Sequence, residues 1–588
     1  MPTLNWIGKD AVVNHHLQVP FRTLEKKYTF GDADSDNMII HGDNLEALKA
    51  LMPKYEGKIK CIYIDPPYNT GASPDKGGWV YYDNVDSPKI QKWLHDVFHK
   101  TGVTLEDLAR HDKWLCMMYP RLKLLHKLLS DNGVIFISID DNEQANLKLI
   151  CDEIFGVGNY VGCVAVENNP KGRKNSNFFS TCNDYLIVYT KSKSNSKFIE
   201  NIPKAKKDLK MDESGLFVHN SGKRVLVGEN KFNEIVTNYK SPKHYSIYYN
   251  KDVDDIIFIQ EMDVNEIDES LINDGYIRYY SHNEGHFVLN TYTMERMQEL
   301  FDDDLLDFKE DKIYEKNIST TIRAKTILVN KRYKAVINNN VVDFEIDVKT
   351  TSANTCLKNI FSKSKSPFTN PKNVGLLHFI ITLFEEKDIT ILDSFSGSGT
   401  TAHAVLNLNK QDGGNRKFIL VEMEDYAETI TAERVRRVIN GYGKDKNAVE
   451  GTGGGFTFYE LGETVFDADG YLNETIGVEK LREYIWYSET HEPYVGLSYN
   501  GSRNDNDGRL PQCDSPTNVY LLGNHNGSAY YFYYEPNRTT TLDKAFLNTI
   551  SQKAEQYVIY ADNCLLSESF MQLNHIVFKK IPRDIRKF

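Results

Sequence analysis

The chain lacks the features that would place it in several large classes. Its eight cysteines are scattered over 588 residues with no Cys-x-x-Cys pair, so neither a zinc site nor a disulfide framework is expected, and no other metal is indicated. No apolar run is long enough to cross a membrane, and the N-terminus is polar with two histidines, unlike a secretory signal. These absences fit a reduced, cytoplasmic setting. No helicase or nuclease motif is evident. Positive charge is not in excess: the net charge of −12 at first argues against a nucleic-acid partner. Global charge, however, bears on solubility and long-range steering, whereas phosphate contacts depend on local clusters.

Such clusters are present. Lys171, Arg173 and Lys174 form one, Lys204, Lys206 and Lys207 a second, and Arg323, Lys325, Lys331 and Arg332 a third. Each alone reads as a solvated face, but all three fall in one stretch of the chain, which favours contact with DNA. The composition, 40% hydrophobic and 26% charged, is that of a globular protein long enough for several domains.

The most informative residues are Asp65-Pro66-Pro67-Tyr68. They follow Cys61–Ile64, an apolar and β-branched run that reads as a buried strand. A polar turn is the plain alternative, but the tetrad should arise by chance only on the order of a few times per thousand chains of this size. The exocyclic amine of a nucleobase is a poor nucleophile because its lone pair is delocalised into the ring. Asp65 can accept one N–H, and the Pro66 carbonyl, fixed by consecutive prolines, can accept the other. Tyr68 offers a face on which the base can stack.

A second signature lies more than three hundred residues downstream. Ile389–Asp393 reads as a strand, Ser394-Phe395-Ser396-Gly397-Ser398-Gly399-Thr400-Thr401 as a glycine-rich turn, and the residues from Ala402 as a helix. Arg416–Glu422 is then a strand ending in a carboxylate, placed to accept both hydroxyls of a ribose. A dinucleotide site has the same layout, but the third glycine of Gly-x-Gly-x-x-Gly is missing. His403 reads as packing rather than as a base.

The two signatures, in this order, resemble the β-class amino-methyltransferases of DNA. The resemblance extends to Ile39–Leu48, to Ser138-Ile139-Asp140-Asp141-Asn142-Glu143, to Asn370-Pro371-Lys372 and to Asp412–Lys417. Together these are similar to the modification subunit of type III restriction-modification systems, an adenine-N6 methyltransferase. The resemblance implies an α/β fold: a Rossmann-like class I methyltransferase sheet, circularly permuted so that the catalytic half precedes the cofactor half. It also implies S-adenosyl-L-methionine as cofactor and double-stranded DNA as substrate, with Asp65, Pro66, Pro67 and Tyr68 catalytic. Asp393, Phe395, Gly397, Gly399 and Thr400 would form the cofactor turn and Glu422 take the ribose. Asp43 would meet the cofactor's adenine, and Thr369 and Lys372 its carboxylate. Cytosine-N4 methylation is the alternative on the same geometry, and a chiefly sequence-reading role in a restriction complex is another. Cleavage would need a separate restriction subunit carrying helicase and nuclease. The residues leave open whether such a partner exists and whether the chain forms a homodimer.

The expected domains are an N-terminal arm with the catalytic half at 1–155, a target-recognition insertion at 156–350, the cofactor half at 351–448, and a C-terminal α+β accessory domain at 449–588. Gly71, Pro74, Gly77 and Gly78 suggest a lid or a plain connection. Asp140, Asp141 and Glu143 read as the acidic start of a helix rather than a magnesium site. Gly451–Gly455 reads as an interdomain linker. The aromatic group Tyr530–Tyr534 with Tyr557 admits base stacking, an interface or a small core.

Overall fold

The computed structural model describes residues 3–70, 88–98, 109–172, 177–211, 215, 217–219, 224–316, 318–467, 469–494 and 519–583. The stretch Gly71–Gly78 and the candidate contacts Arg173 and Lys174 lie outside the described residues. The chain divides into two compact units: residues 1–199, 325–330 and 346–588 form one, and residues 200–324 and 331–345 the other.

The first unit is built on a ten-stranded sheet. Its strands in chain order are β1 (Arg22–Gly31), β2 (Met38–His41), β3 (Ile59–Ile64), β4 (Leu129–Ile139), β5 (Tyr160–Val166), β6 (Asp184–Thr190), β7 (Ile327–Leu328), β8 (Thr390–Asp393), β9 (Lys417–Glu422) and β10 (Gly455–Thr464). Their order across the sheet is β1-β10-β2-β9-β8-β3-β4-β6-β5-β7. The central run from β10 to β4 is parallel, whereas β6 is antiparallel to both β4 and β5. Strands buried on both faces read as unbroken apolar runs, and Ile62, Ile64, Ile135, Ile137, Ile391 and Leu392 are each fully buried.

From β3 the chain moves outward to β4 through the helix Arg110–Leu128; from β8 it moves the opposite way to β9 through the helix Thr400–Asp412. The two directions diverge between β8 and β3. That point, at the carboxyl ends of the strands, is where open α/β sheets form their ligand crevice.

Two expected boundaries are corrected. Residues 160–190, read as the start of an insertion, supply sheet strands: Leu186–Tyr189 is a four-residue apolar run, at most 3% exposed, and it completes the sheet beside β4. The second unit is therefore shorter than 156–350. It has its own core, in which Leu226, Ile247, Met297, Leu300 and Ile313 are buried together. Likewise Gly451–Gly455 is not a linker between domains, because it leads directly into β10, an internal strand of the main sheet. A Cβ on Gly455 would lie 2.2 Å from the Asp32 carbonyl oxygen and 2.6 Å from that of Phe30, so close backbone approach explains the glycine.

In the C-terminal region four strands, Leu521–His525, Ser528–Phe532, Gln556–Ala561 and Ile576–Lys580, form a separate sheet. Tyr531 packs on one face with Leu542, Phe546 and Ile559, and Tyr530, Phe532 and Tyr534 on the other with Trp486 and Ile485. Of the three readings of these aromatics, core is the one observed. The segment after them holds one short helix, Lys544–Leu547. Among the described residues no helix is long and apolar enough to cross a membrane.

Gly455→Ala should lower stability by roughly 2 kcal/mol or more, since neither backbone partner can yield cheaply. Gly158→Ala, at an exposed position where a Cβ meets nothing within 4 Å, should stay within about 0.5 kcal/mol. Urea denaturation of both variants measures this contrast; equal costs would contradict it.

Candidate active site

The tetrad leaves β3 into a tightly held turn. The Trp114 indole donates to the Pro67 carbonyl at 2.7 Å. Asn69, with φ +59°, is fully buried and donates its amide to Glu143 and to the Arg110 carbonyl. Glu143, 0% exposed, also interacts with His111 Nδ1 at 2.7 Å and accepts from Asn146 at 2.8 Å. The acidic segment after β4 thus fixes the loop behind Tyr68, while Asp140 accepts the amides of Asn142.

The glycine-rich turn leaves β8 one strand away. The Asp393 carboxyl accepts the Phe395 amide at 3.1 Å and the Thr401 hydroxyl at 2.5 Å. Burial pushes its pKa up to about 7, with nearby Asp65 adding in the same direction. Gly397 (φ +49°) and Gly399 (φ +78°) adopt left-handed backbone that favours glycine. A Cβ on Gly397 would come within 3.1 Å of the Phe368 ring. The Gly397 amide donates to Glu422 Oε2 at 2.8 Å, and burial lifts the Glu422 carboxyl to about 8. Behind the turn, the fully buried Arg434 donates to Ser398 Oγ and Thr400 Oγ1, both at 2.8 Å.

Both turns open into one cavity of about 300 Å³. Asp65, Pro66 and Tyr68 line it from β3; Asp393, Phe395, Gly397 and Thr400 from β8; and Thr369 and Lys372 from the segment before the helix Val374–Ile381. Lys372 Nζ lies 2.7 Å from Asp65 Oδ1 and 4.8 Å from the centre of the Tyr68 ring. It pairs directly with the first residue of the tetrad, a contact its expected place near a cofactor carboxylate did not suggest. Burial holds the Tyr68 phenol well above its ordinary pKa, with Asp65 adding; it is neutral.

Asp43, Gly399, Pro67 and Glu422 fall outside the cavity lining. Asp43 caps the helix Asn44–Tyr55, accepting the Leu45 amide at 2.8 Å, and pairs with Arg121 at 3.4 Å. Of the candidate DNA contacts, Lys171 is exposed in the first unit, as is Lys325. Arg323, Lys331 and Arg332 are exposed in the second unit; Arg323 Nε lies 3.7 Å from Glu200. Lys204, grouped with Lys206 and Lys207 in the sequence, is instead buried and donates to the Ser319 carbonyl at 2.6 Å. Sequence reasoning missed Asn168, Asp184 and Tyr185, which complete the cavity from the β5–β6 connection. Assigning β6 to the main sheet is what would have found them.

The donor set is acidic. Asp65, Asp140, Asp184 and Asp393 face one cation, Lys372, among the described lining residues. With the cradle that a side chain at Gly397 would fill, this suits a ligand carrying positive charge near the tetrad.

Fold and site together define an open α/β protein whose Asp65 tetrad and glycine turn follow neighbouring parallel strands. The chain belongs to the DNA methylase family, whose sequence model matches residues 59–433. It is similar to the Mod subunit of the type III restriction-modification enzyme EcoPI of Escherichia phage P1, 32% identical over 444 residues covering 72% of this chain and 64% of that one. The EcoP15I Mod subunit of Escherichia coli is 30% identical over 460 residues, with the same two coverages of 72% and 64%. The type II methyltransferase M.KpnI of Klebsiella pneumoniae is 30% identical over 395 residues, 66% of this chain and 81% of that one. The chain therefore matches just under two thirds of the length of the two Mod subunits.

A carboxyl whose folded pKa lies above its unfolded value binds more protons folded than unfolded, so stability falls as pH rises between the two values. For Glu422 the window runs from 4.5 to about 8. The melting temperature of Glu422→Gln relative to wild type should therefore rise from about pH 5 to about pH 8. A difference constant across that range would contradict the raised carboxyl.

Proposed function

We propose that the chain transfers a methyl group from S-adenosyl-L-methionine to adenine N6 in double-stranded DNA, as the modification and recognition subunit of a restriction-modification system. The observation that carries this reading is the opening of Asp65-Pro66-Pro67-Tyr68 and the Asp393–Thr400 turn into one acidic cavity. Family membership and the Mod-subunit relatives support it. Adenine is preferred to cytosine because of the resemblance to type III modification subunits, and the tetrad preceding the turn is read as the circular permutation of that class.

In this reading a flipped base stacks on Tyr68, and its amine donates to Asp65 and to the Pro66 carbonyl. Lys372, bonded to Asp65 Oδ1, holds that carboxylate in place until the amine arrives and takes up one of its oxygens. Phe395 and Gly397 would hold the methionine end of the cofactor, with Thr369, Lys372 and Thr400 toward its carboxylate. Asp43 and Glu422, with Asp393 and Gly399 shaping the turn, would serve the nucleoside end. When bound, the cofactor supplies a methyl group made electrophilic by its sulfonium sulfur. The residues contribute orientation and charge placement rather than covalent chemistry. The nitrogen becomes strongly acidic once methylated and releases its proton to Asp65 or to solvent, so no strong base is required. The second unit is the target-recognition module, and a separate restriction subunit would supply cleavage.

Purified protein with labelled cofactor should methylate duplex DNA, and mass spectrometry of the digested nucleosides should show N6-methyladenine. N4-methylcytosine would overturn the base assignment, and no methylation of any DNA would overturn the activity. Asp65→Ala should lose several orders of magnitude in rate while keeping cofactor affinity within a few-fold. Gly397→Val, colliding with Phe368, should lose cofactor binding itself; equal loss of affinity in both variants would mean that the two halves are misassigned.

A further inference from the structure

Two helix starts meet the residue that follows the tetrad, and the proposed reaction gives their meeting point no role. Glu143 stands just before the helix Gln144–Phe155, a position from which side-chain acceptors often cap the helix amides. Its side chain makes no such bond. The Glu143 carbonyl accepts the Leu147 amide at 2.8 Å and so begins the helix, while the carboxylate, 0% exposed, turns toward the tetrad loop. There Oε1 accepts the Asn69 side-chain amide and lies 2.7 Å from His111 Nδ1, and Oε2 accepts from Asn146 at 2.8 Å.

A carboxylate taken out of water costs free energy that its donors must offset. A helix start does not call for that burial, since an acid favours the helix N-terminus from the surface as well. What the carboxylate holds explains it. Asn69 is kept in left-handed backbone, φ +59°, which a residue other than glycine retains where its surroundings enforce it. Its amide also donates to the Arg110 carbonyl at 3.3 Å. On the other side of Tyr68, the Trp114 indole donates to the Pro67 carbonyl at 2.7 Å. The chain is therefore clamped on both sides of Tyr68, whose ring lines the cavity beside Asp65 and Pro66. Methyl transfer needs the amine nitrogen in line with the methyl group, and a displacement of roughly 1 Å can cost about a hundredfold in rate.

We infer that Glu143 is a positioning residue for methyl transfer: through Asn69 it fixes Tyr68 and the Pro66 carbonyl, and with them the place where the target amine is presented. This rests on the activity proposed above. Glu143 and Asn69 both lie outside the cavity lining, so the action is indirect.

The test is a double-mutant cycle on kcat with duplex DNA. Glu143→Ala and Asn69→Gly, the latter free to keep its backbone angle, should each lower kcat about a hundredfold. Cofactor affinity and KM for DNA should stay within about threefold of wild type in both. The double variant should be slower than the slower single variant by no more than about threefold, because both substitutions break one link. Glu143→Gln, which keeps an acceptor for Asn69, should recover most of the rate. Losses that multiply in the double variant, or a kcat in Asn69→Gly that stays near wild type, overturn the positioning role. So does a fall in cofactor affinity as large as the fall in kcat, which would assign Glu143 to support of the fold alone. A wild-type protein that methylates no DNA overturns the activity, and this inference with it.

Discussion

The site depends on the parallel pairing of β8 with β3, in which Ile391 stands opposite Cys61 and Leu392 opposite Ile62. That register brings Asp393 and Asp65 to the same edge of the sheet although more than three hundred residues separate them. Side chains alternate along a strand, so a slip of one residue would turn the apolar set of β8 over and re-aim everything that follows it. The register is secured by burial on both faces: Cys61, Ile62, Ile391 and Leu392 are all fully buried. Packing in the sheet thus fixes the geometry of the two turns at its edge.

The charge distribution follows from the same placement. Four carboxyl groups meet at a crevice with one lysine among the described lining residues, and burying them costs free energy unless hydrogen bonds or protons offset it. The offsets differ from group to group. Asp65 has Lys372. Asp393 has the Thr401 hydroxyl and the Phe395 amide, and still has its pKa lifted to about 7 by burial. Arg434 carries the opposite burden, a fully buried guanidinium set against the uncharged side chains of Ser398, Thr400 and His403; burial lowers its pKa to about 10. The turn is held between buried acids on one side and a buried base on the other, an arrangement suited to rigid presentation of backbone amides.

Much of this was legible in the sequence because local patterns carried it. Asp65–Tyr68 after an apolar run, and Ser394–Thr401 between two others, declare a strand end and a glycine turn with no tertiary information. What could not be read depended on pairing across the sheet. Tyr185–Tyr189 is recognisable as a strand, but nothing in its residues says that its partner is β4 rather than a neighbour in an insertion, so the contribution of Asp184 to the cavity stayed hidden. Lys372 lies in a segment read by resemblance, yet its contact with Asp65 depends on how residues 368–373 cross the crevice. The clustered basic residues failed differently: adjacency along the chain does not decide exposure, and Lys204 turned inward while Lys206 and Lys207 stayed in water. The aromatic run Tyr530–Tyr534 left base stacking, an interface and a core all open, because which faces are covered depends on what packs on the sheet; both are covered, with Tyr531 in the core on one side and Tyr530 and Phe532 in the core on the other.

On this reading the tetrad and the glycine turn, joined by the β8–β3 register, form one binding site. A crystal structure of the protein with S-adenosylhomocysteine, the product that methyl transfer would leave, tests it most directly. The ligand should lie in the cavity between the Asp393–Thr400 turn and Asp65, its sulfur facing the tetrad and its amino-acid end toward Lys372 and Thr400. Density for the ligand elsewhere on the chain, or in the cavity with the sulfur turned away from Asp65, would contradict it.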